Sequence, residues 1–402
     1  MNHPDVGNAK PQGQVSTSGH LAKSLAPLAL ATFAVGTDAF VIAGLLPAIA
    51  TSFDVSIPAA GQLVTVFALT FAIAAPVLSW LMSSLDRRKA LQLALLVFII
   101  GNVATAISPT YSLALAARVF TALGAATITA TASSAAVAIT PPERRGRAMA
   151  LVIGGLTLST ALGMPLGNLI GSVDWRFTLW AVAGLGVVAM IGISVWLPKV
   201  KLPAISLTAR LAPLRQTKVL TILAATLLVM AGHFTAYTYI GPMTANATAG
   251  TFPQALTLIL FAWGSGVLTG NFLAGYLADK RPAIGVAVAA LAGGTVLLAI
   301  SPLAVSHLII AIIWAAIWGA TDGMASVVQQ HRLVMIAPAS APLLFGLNSS
   351  AIYVGVAIGG LLGGVSQDWI SASLIGIPAA ILALLATIIT LVDAHKERGC
   401  VV

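Results

Sequence analysis

Residues 36–50 read GTDAFVIAGLLPAIA, an apolar run that holds one acid, Asp38, near its start. An ionised carboxylate in apolar surroundings costs several kcal/mol unless another group compensates it. The run belongs to a longer apolar stretch, residues 24–50. As a helix, that stretch is long enough to cross a hydrocarbon layer of about 30 Å. Whether protein or lipid surrounds this stretch therefore decides the fold.

The composition indicates lipid. Hydrophobic residues make up 58% of the 402-residue chain and charged residues only 8%, whereas soluble domains carry about 25% charged residues. A β-barrel would show alternating segments of about 10 residues instead of continuous apolar runs. We therefore predict an all-α membrane protein with twelve transmembrane helices. The predicted helices cover residues 24–50, 60–82, 88–107, 111–139, 146–171, 176–198, 219–242, 254–278, 282–301, 305–330, 342–365 and 370–393.

Basic residues are distributed unevenly among the connections. All Lys and Arg residues except Arg118 and Arg176 fall in the terminal tails or in the connections after the even-numbered helices. The excess of basic residues on cytoplasmic loops places both termini in the cytoplasm. The same bias accounts for the net charge of +9 without nucleic-acid binding. The single cysteine, Cys400, gives no basis for disulfides or cysteine-ligated metal, and we expect no metal or cofactor.

The chain also shows an internal repeat. Asp279 follows Asp86 by 193 positions, each beside basic residues, and the glycines at 359–364 follow Gly163 and Gly167 by a similar interval. We predict two six-helix halves, 24–198 and 219–393, joined by a cytoplasmic linker at 199–218, with tails at 1–23 and 394–402. Six helices per half give both halves the same orientation, as in parallel repeats that rock about a site at the membrane midplane.

Five motifs in order make the chain resemble the major facilitator superfamily, in the branch of twelve-helix drug:proton antiporters with sugar-efflux, nucleoside-efflux and chloramphenicol-resistance proteins. The sequence departs from the patterns where Ala122 replaces glycine, where Met164 separates Gly163 from Pro165, and where the first loop motif has lost its glycine. The motifs are FVIAGLLPAIA after Asp38, the loop motif Gly275–Lys280 with its first-half copy Asp86-Arg87-Arg88-Lys89, Arg118–Ala126 in helix 4, Pro142–Arg147 before helix 5, and the antiporter motif with Gly155, Gly163, Pro165 and Gly167.

The resemblance implies a major facilitator fold, a bacterial inner-membrane location, a monomer, and transport by alternating access. It also implies that the glycine-rich fifth helix seals the path against leak. In the loop motifs, the acids would pair with Arg or with a helix N-terminus and latch the cytoplasmic side shut; a solvated topology signal is the alternative. The latch residues would be Asp86, Arg87, Arg88, Gly275, Asp279 and Lys280.

Asp38 lies about 20 Å into its helix, near the midplane. One interpretation is a carboxyl held neutral or hydrogen-bonded for packing. The other is a protonatable cavity residue whose charge changes during transport, because desolvation and a nearby cation act in opposite directions on a carboxyl. Arg118 in helix 4 is the candidate cation, and the small residues around it either permit close helix packing or leave the guanidinium room to move. The sequence does not establish a contact between the two residues.

The second half adds candidates of the same kind. Asp322 shares a helical face with Trp318, Ser326 and Gln329, a face turned towards a cavity or another helix. His233 lies 195 positions after Asp38 and shares a face with Tyr237; it is either a proton carrier or a hydrogen-bonded packing residue. Trp263, Trp314 and Trp318 would stack on an aromatic substrate or anchor helices.

We therefore predict export of a small organic compound, of drug, sugar or nucleoside type, in exchange for protons. Uptake by proton symport or facilitation is the alternative, since one fold serves both directions. An intramembrane enzyme is disfavoured: no HExxH or GxSxG pattern occurs, and Ser265 with His233 is a poor nucleophile pair. The expected partners are the substrate, protons and the lipid bilayer.

Overall fold

In the computed structural model, the described part of the chain comprises residues 14–201, 212–278, 280–336 and 341–399. Within these ranges the regular structure is helical throughout. The middle of the predicted linker and the predicted latch residue Asp279 lie outside the described residues.

Twelve long helices, α1 to α12, make up the structure in these ranges. They are α1 Gln14–Phe53, α2 Ile57–Leu81, α3 Arg87–Ala106, α4 Tyr111–Ala138, α5 Pro142–Gly171, α6 Trp175–Trp196, α7 Thr217–Tyr237, α8 Ala255–Ala278, α9 Ala283–Ala299, α10 Leu308–Ile336, α11 Ala341–Ser366 and α12 Gly376–Gly399.

Eleven of the helices in the described residues are long and apolar enough to span a membrane. The remaining one, α9, has 17 residues, or about 25 Å at 1.5 Å per residue. It ends at Ala299, earlier than predicted, and a separate turn, Ser301–Ala304, follows. Pro302 explains the break, since proline lacks the N–H that would continue the helix. The prediction of an all-helical membrane fold is confirmed.

The first and last helices extend into the two predicted tails. Residues 14–23, predicted as part of a tail, begin α1, and residues 394–399, predicted as a tail, end α12. The extensions are polar, but once a helix is nucleated each added residue costs little. At its other end α1 stops before Asp54, whose φ of 52° is the left-handed conformation that terminates helices.

The helix contacts follow the predicted repeat. In the N-terminal half (α1–α6), α1 packs on α4, α5 and α6, α4 packs on α2 and α3, and α3 packs on α6. In the C-terminal half (α7–α12), the equivalent helices, whose numbers are six higher, make the same set of contacts. The halves meet along α2–α11 and α5–α8. These two contacts are equivalent under the repeat, since α2 corresponds to α8 and α5 to α11. The exact boundaries of the halves stay a prediction.

The halves approach closely at Gly264 in α8. A Cβ on Gly264 would collide with the backbone carbonyl of Thr160 in α5, so only glycine fits there. Away from these contacts, large apolar side chains lie on the outer surface, among them Phe272 and Ile309, which are 74% and 73% exposed. An apolar exterior of this kind suits contact with lipid.

Candidate functional site

Asp38 and Arg118 form a buried ion pair between α1 and α4. Arg118 Nη1 donates to Asp38 Oδ1 at 2.8 Å, and both side chains are fully buried. The guanidinium also lies over the ring of Phe67 in α2, 4.4 Å from its centroid, within cation–π range. The cation predicted for Asp38 is therefore the group that compensates its charge.

The pair is incompletely satisfied. Asp38 Oδ2 and the Nε and Nη2 atoms of Arg118 are buried without a hydrogen-bond partner. Unpaired buried polar atoms cost free energy, about 1–3 kcal/mol each and more when charged. Chemically, Asp38 Oδ2 can accept a proton or a hydrogen bond, and Arg118 Nε and Nη2 can each donate one.

The antiporter motif positions Asp38 by holding α1 against α5. Gly155, Gly163 and Gly167 face Thr32, Thr37 and Val41 of α1 so closely that a Cβ would collide. Such glycines permit close backbone approach. The predicted packing role of this motif is therefore seen in its contacts with α1; whether it prevents leak stays a prediction.

Within α5, residues Ser159–Gly163 form a π-helical turn that the sequence analysis missed. Pro165 follows it, buried, in the helical segment Met164–Gly171. Proline cannot donate to the carbonyl four residues earlier and its ring crowds that carbonyl, which distorts the preceding turn. The signal was present in the sequence as Gly163 and Pro165, because π-turns interrupt α-helices where the ordinary hydrogen bond is lost.

His233 and Asp322 form a second buried pair, between α7 and α10. His233 Nδ1 lies 2.6 Å from Asp322 Oδ1. The sequence identifies the two residues as separate candidates, and the tertiary structure brings them together. Since α7 and α10 are the repeat equivalents of α1 and α4, each half carries one acid–base pair on the same two helices.

A cluster of aromatic side chains adjoins the His233–Asp322 pair, since the Trp318 ring lies 5.8 Å from that of His233. Tyr237 is 4.4 Å from Trp263 between ring centroids, Trp263 is 5.9 Å from Trp318, and Trp318 is 4.9 Å from Trp314. Phe40 of α1, which the sequence analysis did not single out, joins this aromatic cluster at 6.3 Å from Tyr237.

Indole N–H groups distinguish the tryptophans. Trp314 Nε1 donates to the Leu297 carbonyl at 2.8 Å, which indicates a packing role. Trp263 Nε1 and Trp318 Nε1 are buried and have no partner, although buried indoles usually find one. Within this cluster, these two indole N–H groups are the donors that have no partner.

The other polar residues predicted on the helical face of Asp322 make different contacts. Ser326 is half-buried, and Gln329 accepts a 2.7 Å hydrogen bond from Arg332, which also donates to Asp393 of α12 at 2.6 Å. Arg332 and Asp393 are both buried. Read from the sequence as a topology signal, Arg332 is instead part of a buried ion pair that fastens α10 to α12.

In the first loop motif, the contacts of Asp86 and Arg88 described by the structure lie within the N-terminal half. Asp86 accepts from the backbone N–H groups of Arg88 and Lys89, 3.0 and 3.3 Å away, and so caps α3. Arg88 donates to backbone carbonyls of Ser194 and Leu197 at the end of α6. In the second copy, Lys280 lies over Tyr276 at 4.1 Å, and a Cβ at Gly275 would meet no neighbour within 4 Å. A latch between the halves stays a prediction.

A polar contact between the halves was not foreseen. Asn168 of α5 donates to the Gly44 carbonyl of α1 at 3.0 Å and accepts from Thr257 of α8 at 2.8 Å. It lies near the odd-numbered connections, which the charge distribution predicts to be extracytoplasmic. Two further contacts join the halves: Tyr237 donates to the Phe40 carbonyl at 3.1 Å, and the ring of Tyr353 of α11 stacks on that of Phe71 of α2 with centroids 3.7 Å apart.

Comparison with known proteins gives one family. The model of the Major Facilitator Superfamily matches residues 28–341. The inner membrane transport protein YdhP of Escherichia coli K12 is 34% identical over 93% of this chain and 96% of its own length. An uncharacterized MFS-type transporter of Bacillus subtilis, YbcL, is 33% identical over 92% and 95%. A chloramphenicol resistance protein of Streptomyces lividans is 30% identical over 90% and 96%.

Proposed function

We propose that this chain, which belongs to the Major Facilitator Superfamily, exports a small organic compound from the cell in exchange for protons. The family makes it a membrane transporter, and its relative YdhP is named an inner membrane transport protein. Export, proton coupling and the substrate are our proposal.

The observation that carries the proposal is the buried Asp38–Arg118 pair. An acid in the membrane interior changes the energy of its surroundings by several kcal/mol when its charge changes. Arginine keeps its proton, so Asp38 is the member of the pair that titrates. Protonation of Asp38 would leave Arg118 unpaired and favour a rearrangement of α1 against α4.

Alternating access would then involve the contacts between the halves. Asn168 with Thr257 and Tyr237 with the Phe40 carbonyl would separate as the outer side opens. Because these are a few neutral hydrogen bonds, each worth about 0.5–1.5 kcal/mol, they are weak enough to break in a transport cycle.

The aromatic cluster supports an aromatic or planar substrate. Its rings offer stacking surfaces, and the free indole N–H groups of Trp263 and Trp318 would donate to acceptor atoms of the compound. Chloramphenicol is the first probe, because a relative is named for resistance to it. Sugars and nucleosides are the other two classes for comparison.

The experiment has two steps. First, an efflux-deficient host that expresses the chain is screened for growth against chloramphenicol, other antibiotics, sugars and purine analogues. Second, everted vesicles with an acidic interior are tested with the compound found. Export by antiport predicts accumulation, which Asp38→Asn abolishes at unchanged protein level. Loss of compound from such vesicles would instead indicate symport, and undiminished accumulation by the Asn variant would remove Asp38 from the mechanism.

A further inference from the structure

We propose that His233 and Asp322 form a second proton-binding site, which deepens the proposed proton-coupled export and rests on it for its role in transport. The site binds one exchangeable proton, held mainly by the imidazole.

The geometry provides both the proton and its acceptor. With Asp322 ionised, the neutral imidazole donates its Nδ1–H across 2.6 Å, and Nε2 is left as an acceptor. Nε2 is buried and has no partner. A proton taken from water at Nε2 gives an imidazolium that keeps its hydrogen bond to Asp322, and release of that proton restores the starting form.

The two pairs differ in the protonation state that makes them electrically neutral. The Asp38–Arg118 pair is neutral when Asp38 is ionised and carries one positive charge when Asp38 is protonated, since Arg118 stays charged. The His233–Asp322 pair carries one negative charge with a neutral imidazole and is neutral once a proton is bound.

A net charge in the membrane interior is costly. The state with both pairs neutral therefore holds one exchangeable proton, on the C-terminal half. Loading a proton on Asp38 and releasing one from His233 are each opposed alone, but together they leave the total charge unchanged. This coupling between halves follows from the difference between the two bases, since Arg118 keeps its charge whereas the imidazole gains a charge when it binds a proton.

Few other ionisable groups face the pair. Tyr237 is close enough to interact electrostatically with Asp322. The neighbouring helices α8, α9 and α11 contain no charged residue, the charged residues of α12 are confined to residues 393–398, and α10 itself carries His331 and Arg332 near its end. Within the described part of the chain, the proton balance of this site thus belongs to His233, Asp322 and Tyr237.

Gly294 of α9 keeps Nε2 unobstructed. A Cβ at this position would lie 3.1 Å from Nε2, closer than ordinary van der Waals contact. Gly294→Ala therefore perturbs protonation at Nε2 without removing any titratable group. Gly285→Ala is the matched control, because it lies in the same helix and its Cβ would meet nothing within 4 Å.

Trp318 provides a readout that needs no substrate. Its ring lies edge-on to His233 at 5.8 Å between centroids, and an imidazolium quenches a neighbouring indole more than an imidazole does. We expect the intrinsic fluorescence of the purified, detergent-solubilised protein to show a step when pH is varied. The step should be lost in His233→Asn and in Trp318→Phe, and displaced in Asp322→Asn and in Gly294→Ala but not in Gly285→Ala.

Variants that elute as folded protein in size-exclusion chromatography are compared. A wild type without a step, or a step that persists in folded His233→Asn, overturns the proposal. If His233→Asn does not fold, displacement of the step by Gly294→Ala but not by Gly285→Ala decides the question, and equal behaviour of the two overturns it. The vesicle assay on Asp38→Asn tests coupled export separately, so each proposal can fail alone.

Discussion

Asp38 and Arg118 are joined by a 2.8 Å hydrogen bond between α1 and α4, although eighty positions separate them in the chain. Neither side chain reaches solvent. Each residue is therefore the main compensation for the other's charge, and they should act as one electrostatic unit.

A double-mutant cycle on pH-driven export tests this unit. Asp38→Asn and Arg118→Ala should each abolish coupling, and the double variant should be little worse than either single change. Arg118→Lys should keep part of the activity, since lysine retains the charge but not the planar fork. Losses that multiply would show that the two residues act independently.

The contact of Asn168 with Thr257 should separate during each cycle. In a background with Cys400→Ser, Asn168→Cys combined with Thr257→Cys places two thiols across the halves. We expect a short bifunctional thiol reagent to stop transport, and each single cysteine to stay active after the same treatment. Full activity of the cross-linked double variant would mean that this contact does not open.

The Arg332–Asp393 pair should stabilise the C-terminal half without taking part in coupling. Asp393→Asn leaves the guanidinium without its carboxylate and should destabilise the protein by about 3–5 kcal/mol, the usual cost of breaking a buried pair. Thermal unfolding in detergent measures the change. The exchange Arg332→Asp with Asp393→Arg should recover part of the loss, and a double variant less stable than Asp393→Asn would contradict a pairwise role.

Substitutions at Asp86 can distinguish the helix-capping role of its side chain from the role of its charge. Asp86→Ala removes the cap of α3 and should cost about 1 kcal/mol, whereas Asp86→Ser retains a capping oxygen and should cost little. Both variants lose the charge. Equal stability of Ala and Ser variants would argue against the cap; reduced transport by a stable Ser variant would support the electrostatic latch predicted from the loop motif.

The transmembrane organisation was readable from the sequence because lipid imposes a local constraint: a segment must be long and apolar enough to span, and each backbone group must bond within its own helix. The repeat and the identity of Asp38, Arg118, His233 and Asp322 as unusual residues followed from the same constraint, since a charge in an apolar run stands out. Helix ends were less predictable, as residues 14–23 show, because polar turns extend a helix at little cost.

Only the tertiary structure decided which of these residues meet. Distances between α1 and α4, or between α7 and α10, depend on how helices pack, and in lipid that packing rests on small residues and close contacts that hydropathy does not encode. Hence the pairing of His233 with Asp322, the Asn168 contact between halves and the buried partnership of Arg332 with Asp393 had no signal in any single segment. Apolar length determines that a helix crosses the membrane; the complementary surfaces of two helices determine which charges face each other.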